Sequence, residues 1–402
     1  MMRIPPNKLT KLQLIELDTC SRCAHCAEYC PIYEERRKPE LVPGGRVALL
    51  SKLIGKKGVL SLVSGSKTVS VEELEKGVNS LYTCSLCGRC LEVCPFSIQT
   101  PELWETFRTI IYDADRPLQA LKLLGKTIVE KKNPYGADSE LRTFWIERRG
   151  LKEAPIMKKA KVVYFTGCTS ALKSQTQSIA YATSLILNHV KEDWTLLGDK
   201  EWCCGSPSMM LGDRRGAIEL AKHNVEIIES TGASKVVTSC PSCYRVLKYR
   251  YPQFIGRTPN FEVLHAVELI HQYLRQGFLA KGGKIEGITA YHDPCELARL
   301  SIIFKEPREI LKVFTNKLVE LPENKMDTRC CGGGGLLQAV DNELRIKIAQ
   351  GRIKQAERIK TEFLTSACPA CKLTLIDAAK SMNSNIKVLD IAELVAQKIG
   401  LM

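Results

Sequence analysis

Eighteen cysteines in a chain of 402 residues constrain this protein more than any other feature of its sequence. Eight lie before residue 95, none between 95 and 167, and ten between 168 and 371. The early eight form two quartets, Cys20, Cys23, Cys26, Cys30 and Cys84, Cys87, Cys90, Cys94, each followed by a proline, Pro31 or Pro95. The later ten form two quintets, Cys168, Cys203, Cys204, Cys240, Cys243 and Cys295, Cys330, Cys331, Cys368, Cys371, and no cysteine is left over. The opening residues MMRIPPNKLTKLQLIELD have no continuous apolar segment and no small-residue cleavage site, so a secretory signal is not expected. A reducing, cytoplasmic setting is the better expectation, and there clustered cysteines are metal ligands or redox thiols rather than a disulfide scaffold.

The quartet spacing C-x2-C-x2-C-x3-C-P is the run by which bacterial ferredoxins hold [4Fe–4S] cubanes, with three cysteines wrapping one cluster and the fourth reaching the other. It assigns Cys20, Cys23, Cys26 and Cys94 to one cubane, and Cys84, Cys87, Cys90 and Cys30 to the second. Structural zinc also accepts C-x2-C pairs, but it seldom draws all four ligands from eleven consecutive residues. A cubane with four cysteine ligands has no open position for substrate, so this pair is expected to conduct electrons. The 53 residues between Cys30 and Cys84 exceed a minimal ferredoxin, and RVALLSKLI and VEELEKGVNSLY within them read as helices.

The quintets are an internal repeat. Cys168, Cys203 and Cys204 recur 127 residues later, and Cys240 and Cys243 recur 128 residues later. The flanks repeat too: SKVVTSCPSC answers EFLTSACPAC, and FEVLHAVELI answers IKVLDIAELV. Each unit opens with a β-branched run, KVVYFTGC or ITAYHDPC, ending on its first cysteine. A second β-rich run (Val236 to Ser239; Phe363 to Ala367) ends on the CPxC, where Pro241 or Pro369 suits the first turn of a helix. Strand, helix, strand with ligands at strand ends is an α/β pattern whose sites gather at the carboxyl edge of a sheet. The expected fold is therefore α+β and multidomain. It comprises a mostly helical domain with two cubanes at 1–125, a linker at 126–160 whose charged run is solvated, and duplicated α/β domains at 161–285 and 286–402.

Five thiolates per quintet exceed what one tetrahedral zinc or one regular cubane uses, although a vicinal disulfide beside a four-thiolate site, or zinc with a spare thiol, would also account for five. The pattern C-x34-C-C-G-x34/35-C-P-x-C resembles the cysteine-rich "CCG" domain of the heterodisulfide reductase family. A ferredoxin-like module followed by two such domains resembles its D-type subunits across residues 20 to about 395. The resemblance implies that each quintet holds a noncubane four-iron cluster and that the pair reduces a disulfide, coenzyme M–coenzyme B, to two thiols. It also implies an electron-donating partner subunit, either a membrane b-type cytochrome or a soluble flavoprotein, and through it a peripheral place on the cytoplasmic membrane. Relatives sharing the architecture set the alternative: an electron-transfer subunit of a flavin-dependent glycolate, lactate or glycerol-3-phosphate dehydrogenase, or of a membrane redox complex.

Charge enters at this point. The chain carries 58 Lys and Arg against 44 Asp and Glu, a formal +14, but its basic residues are dispersed and no nucleic-acid motif accompanies them. An anionic substrate suits that charge. Arg245, Arg329 and Lys372 lie within a few residues of quintet cysteines and are expected to contact it. No apolar run reaches the roughly 18 residues that a membrane span demands. The run Gly332–Gly335 lacks the Gly-Lys-Ser/Thr of a phosphate loop and is expected to pack its backbone against a cluster. His292, three residues before Cys295, is expected to support the site rather than ligate it.

Overall fold

The computed structural model of the chain describes residues 6–54, 70–279 and 282–402. Its first part is helical, as expected. Helices Lys11–Thr19 and Val71–Tyr82 each start with a reciprocal capping box, Thr10 with Gln13 and Ser70 with Glu73, which satisfies orphan amides at each helix start. Helices Pro43–Ile54, Val71–Tyr82 and Thr100–Asp113 bury Val47, Leu50, Leu81, Leu103, Trp104 and Phe107 in one apolar core. Residues 55–69 of the stretch between the quartets lie outside the described residues.

Both quartets sit in loops of one conformation. Arg22 and Ala24 in the first, and Leu86 and Gly88 in the second, have φ of 58°, 62°, 55° and 72°. A left-handed non-glycine residue costs about 1–2 kcal/mol, so its recurrence on either side of the second cysteine marks a shape the loops are held to. Pro31 then starts helix Pro31–Arg36 directly after Cys30.

The rest of the chain forms two four-stranded parallel sheets. In the first, β1 (Val162–Tyr164), β2 (Trp194–Leu196), β3 (Lys235–Thr238) and β4 (Glu262–His265) take the order β2-β1-β3-β4. In the second, β5 (Ile285–Tyr291), β6 (Thr315–Glu320), β7 (Phe363–Ser366) and β8 (Lys387–Asp390) take the order β6-β5-β7-β8. Val163 pairs with Thr195 and Val236, as Ala290 pairs with Val319 and Leu364. The two central strands of each sheet lead at their carboxyl ends to the cysteines, with Pro241 and Pro369 opening helices Pro241–Arg245 and Pro369–Ser381. The repeated flank is a last strand and its helix, Ala266–Arg275 or Ile391–Lys398, entered through capping boxes His265/Glu268 and Asp390/Glu393.

The repeats pack reciprocally. Helix Gln177–His189 of the first meets Ile391–Lys398 of the second, and Lys305–Phe314 of the second meets Ala266–Arg275 of the first. The short helices carrying ligands do the same: Cys168–Leu172 meets Pro369–Ser381, and Cys295–Ser301 meets Pro241–Arg245. Such exchange is the pattern of an isologous interface, here within one chain. A continuous apolar core runs through it, from Val163 and Val237 to Leu311, Phe314 and Leu394.

Residues 126–160, expected as a linker, are packed structure. Helix Gln119–Lys131 crosses the 125/126 boundary, the turn Ser139–Arg142 and helix Phe144–Arg149 follow, and Trp145 and Leu151 join the core of the repeats. The charged residues from Arg148 to Lys161 are exposed, as expected of a solvated run. Burial of two apolar anchors turns the segment into a wall of the first repeat.

Candidate metal centres and the cavity between them

Cys30, Cys84, Cys87 and Cys90 line one pocket together with Arg46 and Trp104, and Cys94 does not belong to that lining. Burial pushes the Cys30 thiol up to about 11, against the pull of Arg46. Cys26 lies among Cys20, Cys23 and Cys30, and Cys20 and Cys94 pack against the same apolar core. The structure thus brings the proline-flanked Cys30 to the first three cysteines of the second quartet.

All ten cysteines of the two quintets line a single cavity of about 420 Å³. None is in a disulfide. Within each set the sulfurs form a chain of contacts. Cys204 is held down to about 6 by hydrogen bonds from Cys203 and Cys243. At the matching step Cys331 is held well below the usual thiol range by those from Cys330 and Cys371, the latter sulfur 3.2 Å away. Backbone amides of Gly332, Gly333 and Cys371 point at the sulfurs of Cys330, Cys331 and Cys368 at 3.2, 3.4 and 3.4 Å. Ten soft donors converging on one cavity, nine of them buried and Cys295 half-buried, with N–H groups directed at sulfur, fit iron–sulfur clusters.

The second quintet also touches the helical module. Ser85 Oγ is 3.5 Å from Cys330 Sγ, and Cys87 hydrogen-bonds Cys330, which with burial pushes the Cys87 thiol well up. The start of the glycine run lies against the second quintet, where the Gly332 and Gly333 amides reach Cys330 and Cys331, and its end explains the closeness to the helical module. A Cβ on Gly334 would lie 2.7 Å from the Ser85 carbonyl oxygen, and one on Gly335 (φ +65°) would overlap the Cys84 carbonyl oxygen and lie 2.5 Å from the Ser85 Cα. The first repeat has Ser206, Pro207 and Ser208 at these steps. Two buried arginines fasten the junction. Arg108 donates to the carbonyls of Leu81, Cys84, Met210 and Gly335, and Arg299 to those of Cys87, Met326 and Thr328.

His292 is buried beside the second quintet, with a ring nitrogen within 4.8 Å of the Cys331 and Cys371 sulfurs. Arg352 Nε donates to its Nδ1 at 3.1 Å, so in the neutral ring Nε2 carries the hydrogen, and Nε2 has no protein partner. Burial, aided by Arg352, pushes the imidazole down to about 3 and keeps it neutral.

None of the three expected substrate cations lines the cysteine cavity, and for Lys372 and Arg329 the expectation needs correction. Lys372 is buried and paired with Glu393 at 2.6 and 2.7 Å, with Ser178 Oγ at 3.0 Å. Arg329 pairs with Glu34 at 2.7 Å. Arg245 donates to the Leu300 carbonyl and lines a second cavity of about 260 Å³ with Tyr249, Arg250 and Gln253. This cavity shares Ser206, Met210, Ser242 and Glu296 with the first. Successive helical residues are turned by about 100° about the axis, so adjacency to a ligand in sequence does not aim a side chain at the same space.

Two residues escaped the sequence reading. Glu296 follows Cys295, accepts from the Ser242 hydroxyl, and has its carboxyl pushed up by burial at the wall common to both cavities. An acid beside a ligand, where the first repeat has Thr169, was a usable signal. Arg142, inside the supposed linker, donates to Cys168 Sγ at 3.2 Å and to Glu201 at 2.9 Å. Nothing in the pattern around it pointed to a cysteine 26 residues away.

Comparison with known proteins agrees with this anatomy. Residues 162–248 and 289–376 match the cysteine-rich domain family CCG, and residues 16–98 match the 4Fe-4S dicluster domain family. The chain is 36% identical to the D-type subunit of the dihydromethanophenazine:CoB–CoM heterodisulfide reductase of Methanosarcina acetivorans, over 99% of this chain and 98% of that protein. It is 26% identical to the EtfAB:quinone oxidoreductase of Syntrophomonas wolfei, over 94% of this chain and 58% of the relative. A crystal structure of a hypothetical protein from Helicobacter pylori shares the fold, with a TM-score of 0.62 at 11% identity, over 98% of this chain and 73% of that one. Among the described residues, no helix is long and apolar enough to cross a membrane. With a helical dicluster module, two cysteine-rich repeats and near full-length similarity to such a reductase component, the chain belongs to the D-type family of heterodisulfide reductase subunits, which are iron–sulfur oxidoreductases.

Proposed function

We infer that this chain is the catalytic subunit that reduces a disulfide to two thiols, R–S–S–R′ + 2 e⁻ + 2 H⁺ → RSH + R′SH. The substrate class follows the activity for which the D-type relatives are named, reduction of the CoB–CoM heterodisulfide. One observation carries the reading: both quintets line the same cavity. A disulfide needs two electrons, while iron–sulfur centres deliver one at a time. Two donor sets facing one space can serve both sulfurs of a single substrate.

The ligand sets are Cys20, Cys23, Cys26 and Cys94 for one cubane, and Cys30, Cys84, Cys87 and Cys90 for the other. The two quintets would hold noncubane four-iron clusters. Such clusters, when bound, supply one-electron transfer. The chain's own residues hold the modules together at Cys87 and Cys330, shape the cavity, and offer Arg245 in the adjoining cavity as a contact for an anionic substituent. The electron donor is a partner subunit, cytochrome or flavoprotein, and contact with a membrane, where it occurs, is through that partner. The EtfAB:quinone oxidoreductase favours a second reading, electron transfer on behalf of a flavin enzyme.

Protein purified anaerobically should bind about 16 iron, about four per site. With a reduced dye as donor it should release both thiols of CoM–S–S–CoB in equal amounts. Iron near half that value with stoichiometric zinc would remove the clusters from the quintets. Full iron without turnover would leave only the electron-transfer reading.

A further inference from the structure

The two quintets match in sequence and in the amides that reach them, Gly205 and Cys243 in the first as Gly332 and Cys371 in the second, but not in their charged donors. In the first, Arg142 is 3% exposed and bridges Cys168 Sγ, at 3.2 Å, and Glu201, at 2.9 Å. Glu201 is itself fixed by the amides of Thr166 at 2.8 Å and Gly167 at 2.9 Å, directly before Cys168. This anchor holds the guanidinium against the sulfur. In the second repeat Glu201 is replaced by Thr328, whose hydroxyl donates to the Asp293 carbonyl. Asp293, at the step of Thr166, pairs with Arg308 instead, at 2.8 Å. Among the described residues no guanidinium or ammonium hydrogen-bonds a thiol of the second quintet. Its backbone donors are the amides of Gly332, Gly333 and Cys371.

Reduction adds one negative charge to a cluster, and a fixed cation donating to a ligand sulfur favours that state. Burial strengthens the effect, because little water screens the pair. With the quintets read as cluster sites, on which this rests, we propose that Arg142 is a positioning residue that gives the first quintet a higher reduction potential than the second. The second quintet adjoins the helical module through Cys87 and Cys330, so an electron supplied by the partner reaches it first. The difference then draws the electron across the cavity to the first quintet. The second site is left ready to accept the next electron, so that two are stored beside one disulfide. The pair is an ordered relay rather than two equal jaws.

Potentiometric EPR titration of the iron-loaded full-length protein tests this. The quintet signals should show two midpoints. Arg142→Gln combined with Glu201→Gln, which avoids leaving a buried carboxylate alone, should lower the upper midpoint by at least a tenfold change in the one-electron equilibrium, about 59 mV, and leave the lower one in place. Arg142→Lys should retain part of the difference. Cys168→Ser, which leaves Arg142 untouched, should alter the spectrum of the upper-midpoint signal. Equal midpoints in the wild type, a change confined to the lower one, or a Cys168→Ser effect on the lower-potential signal would each overturn the proposal. Zinc in the quintets would instead remove the reading on which it rests, and iron analysis of the same samples separates the two failures.

Discussion

The two cysteine-rich repeats have one strand order, one capping scheme and one cysteine spacing, yet they meet the helical module differently, the first through helix Ser206–Leu211 packed on Thr100–Asp113 and the second through its cysteines and glycine run. The second lies against the helical module, where Gly334 and Gly335 let its backbone meet that of Cys84 and Ser85. The first carries Ser206-Pro207-Ser208 there and receives a buried arginine from residues 126–160. Duplication copied what metal ligation needs, which is local. The contacts that give each copy its task come from other parts of the chain. The largest differences between the copies should therefore appear where a residue of one meets a partner absent from the other.

Lys372 gives the sharpest contrast, since its counterpart is Tyr244. Lys372→Met leaves Glu393 buried without its ammonium, and loss of one partner from such a pair costs roughly 3–5 kcal/mol. Tyr244→Phe removes only a hydroxyl contacted by Lys248 at 2.6 Å and should cost about 1 kcal/mol. Denaturant midpoints of the two variants measure the contrast. An unchanged midpoint for Lys372→Met with a raised KM would return this lysine to the substrate.

Gly335→Ala comes next. Left-handed backbone for alanine costs about 1–2 kcal/mol, and overlap with the Cys84–Ser85 backbone adds roughly 1–3 kcal/mol. It should lower stability and slow oxidation of the cubanes by substrate in stopped-flow mixing. Ser208→Ala at the matching step removes a buried hydroxyl that has no partner and should be nearly neutral. Equal effects at the two positions would mean that the glycine run does not serve the junction.

The smallest effect concerns the helix caps His265 and Asp390, which occupy matching places and titrate in opposite directions. Burial, with Glu393 adding and Lys372 opposing, pushes the Asp390 carboxyl up to about 8. The folded chain holds that proton more tightly than the unfolded chain, so this contribution is full at low pH and is lost as pH rises toward 8. Burial pushes His265 down to about 3 from 6.5, so its contribution is full above 6.5 and is lost as pH falls below it. Asp390→Asn should remove up to one proton from the stability slope between pH 6 and 8, at most about 1.4 kcal/mol per pH unit. His265→Asn should change the slope only at the acid end of that window, around pH 6.5 and below, and with the opposite sign. Unfolding free energies measured across it check both.

Much of the molecule was legible in the sequence. The quartets, the quintets, the duplication and the helix-starting prolines are written in short-range spacing, because a metal cluster or a helix turn accepts only a few separations. The strands leading to the cysteines were readable from β-branched runs such as VVY and FLTS. The side chains around the cavity were less so. Glu296 was readable in hindsight from its place beside Cys295. The misdirected expectations for Arg329 and Lys372 came from proximity in sequence, which says nothing about the face of a helix or loop a side chain takes.

By itself the sequence determined the four cysteine groups and the two-fold repetition, since those depend on residues a few positions apart or on a pattern copied whole. Only the tertiary structure decided that both quintets share one cavity and that the second, not the first, adjoins the second quartet. It alone showed that residues 126–160 deliver Arg142 to Cys168. These are contacts between segments 26 to 245 residues apart, fixed by how the helix faces and sheets pack in space, and a linear pattern carries no record of them.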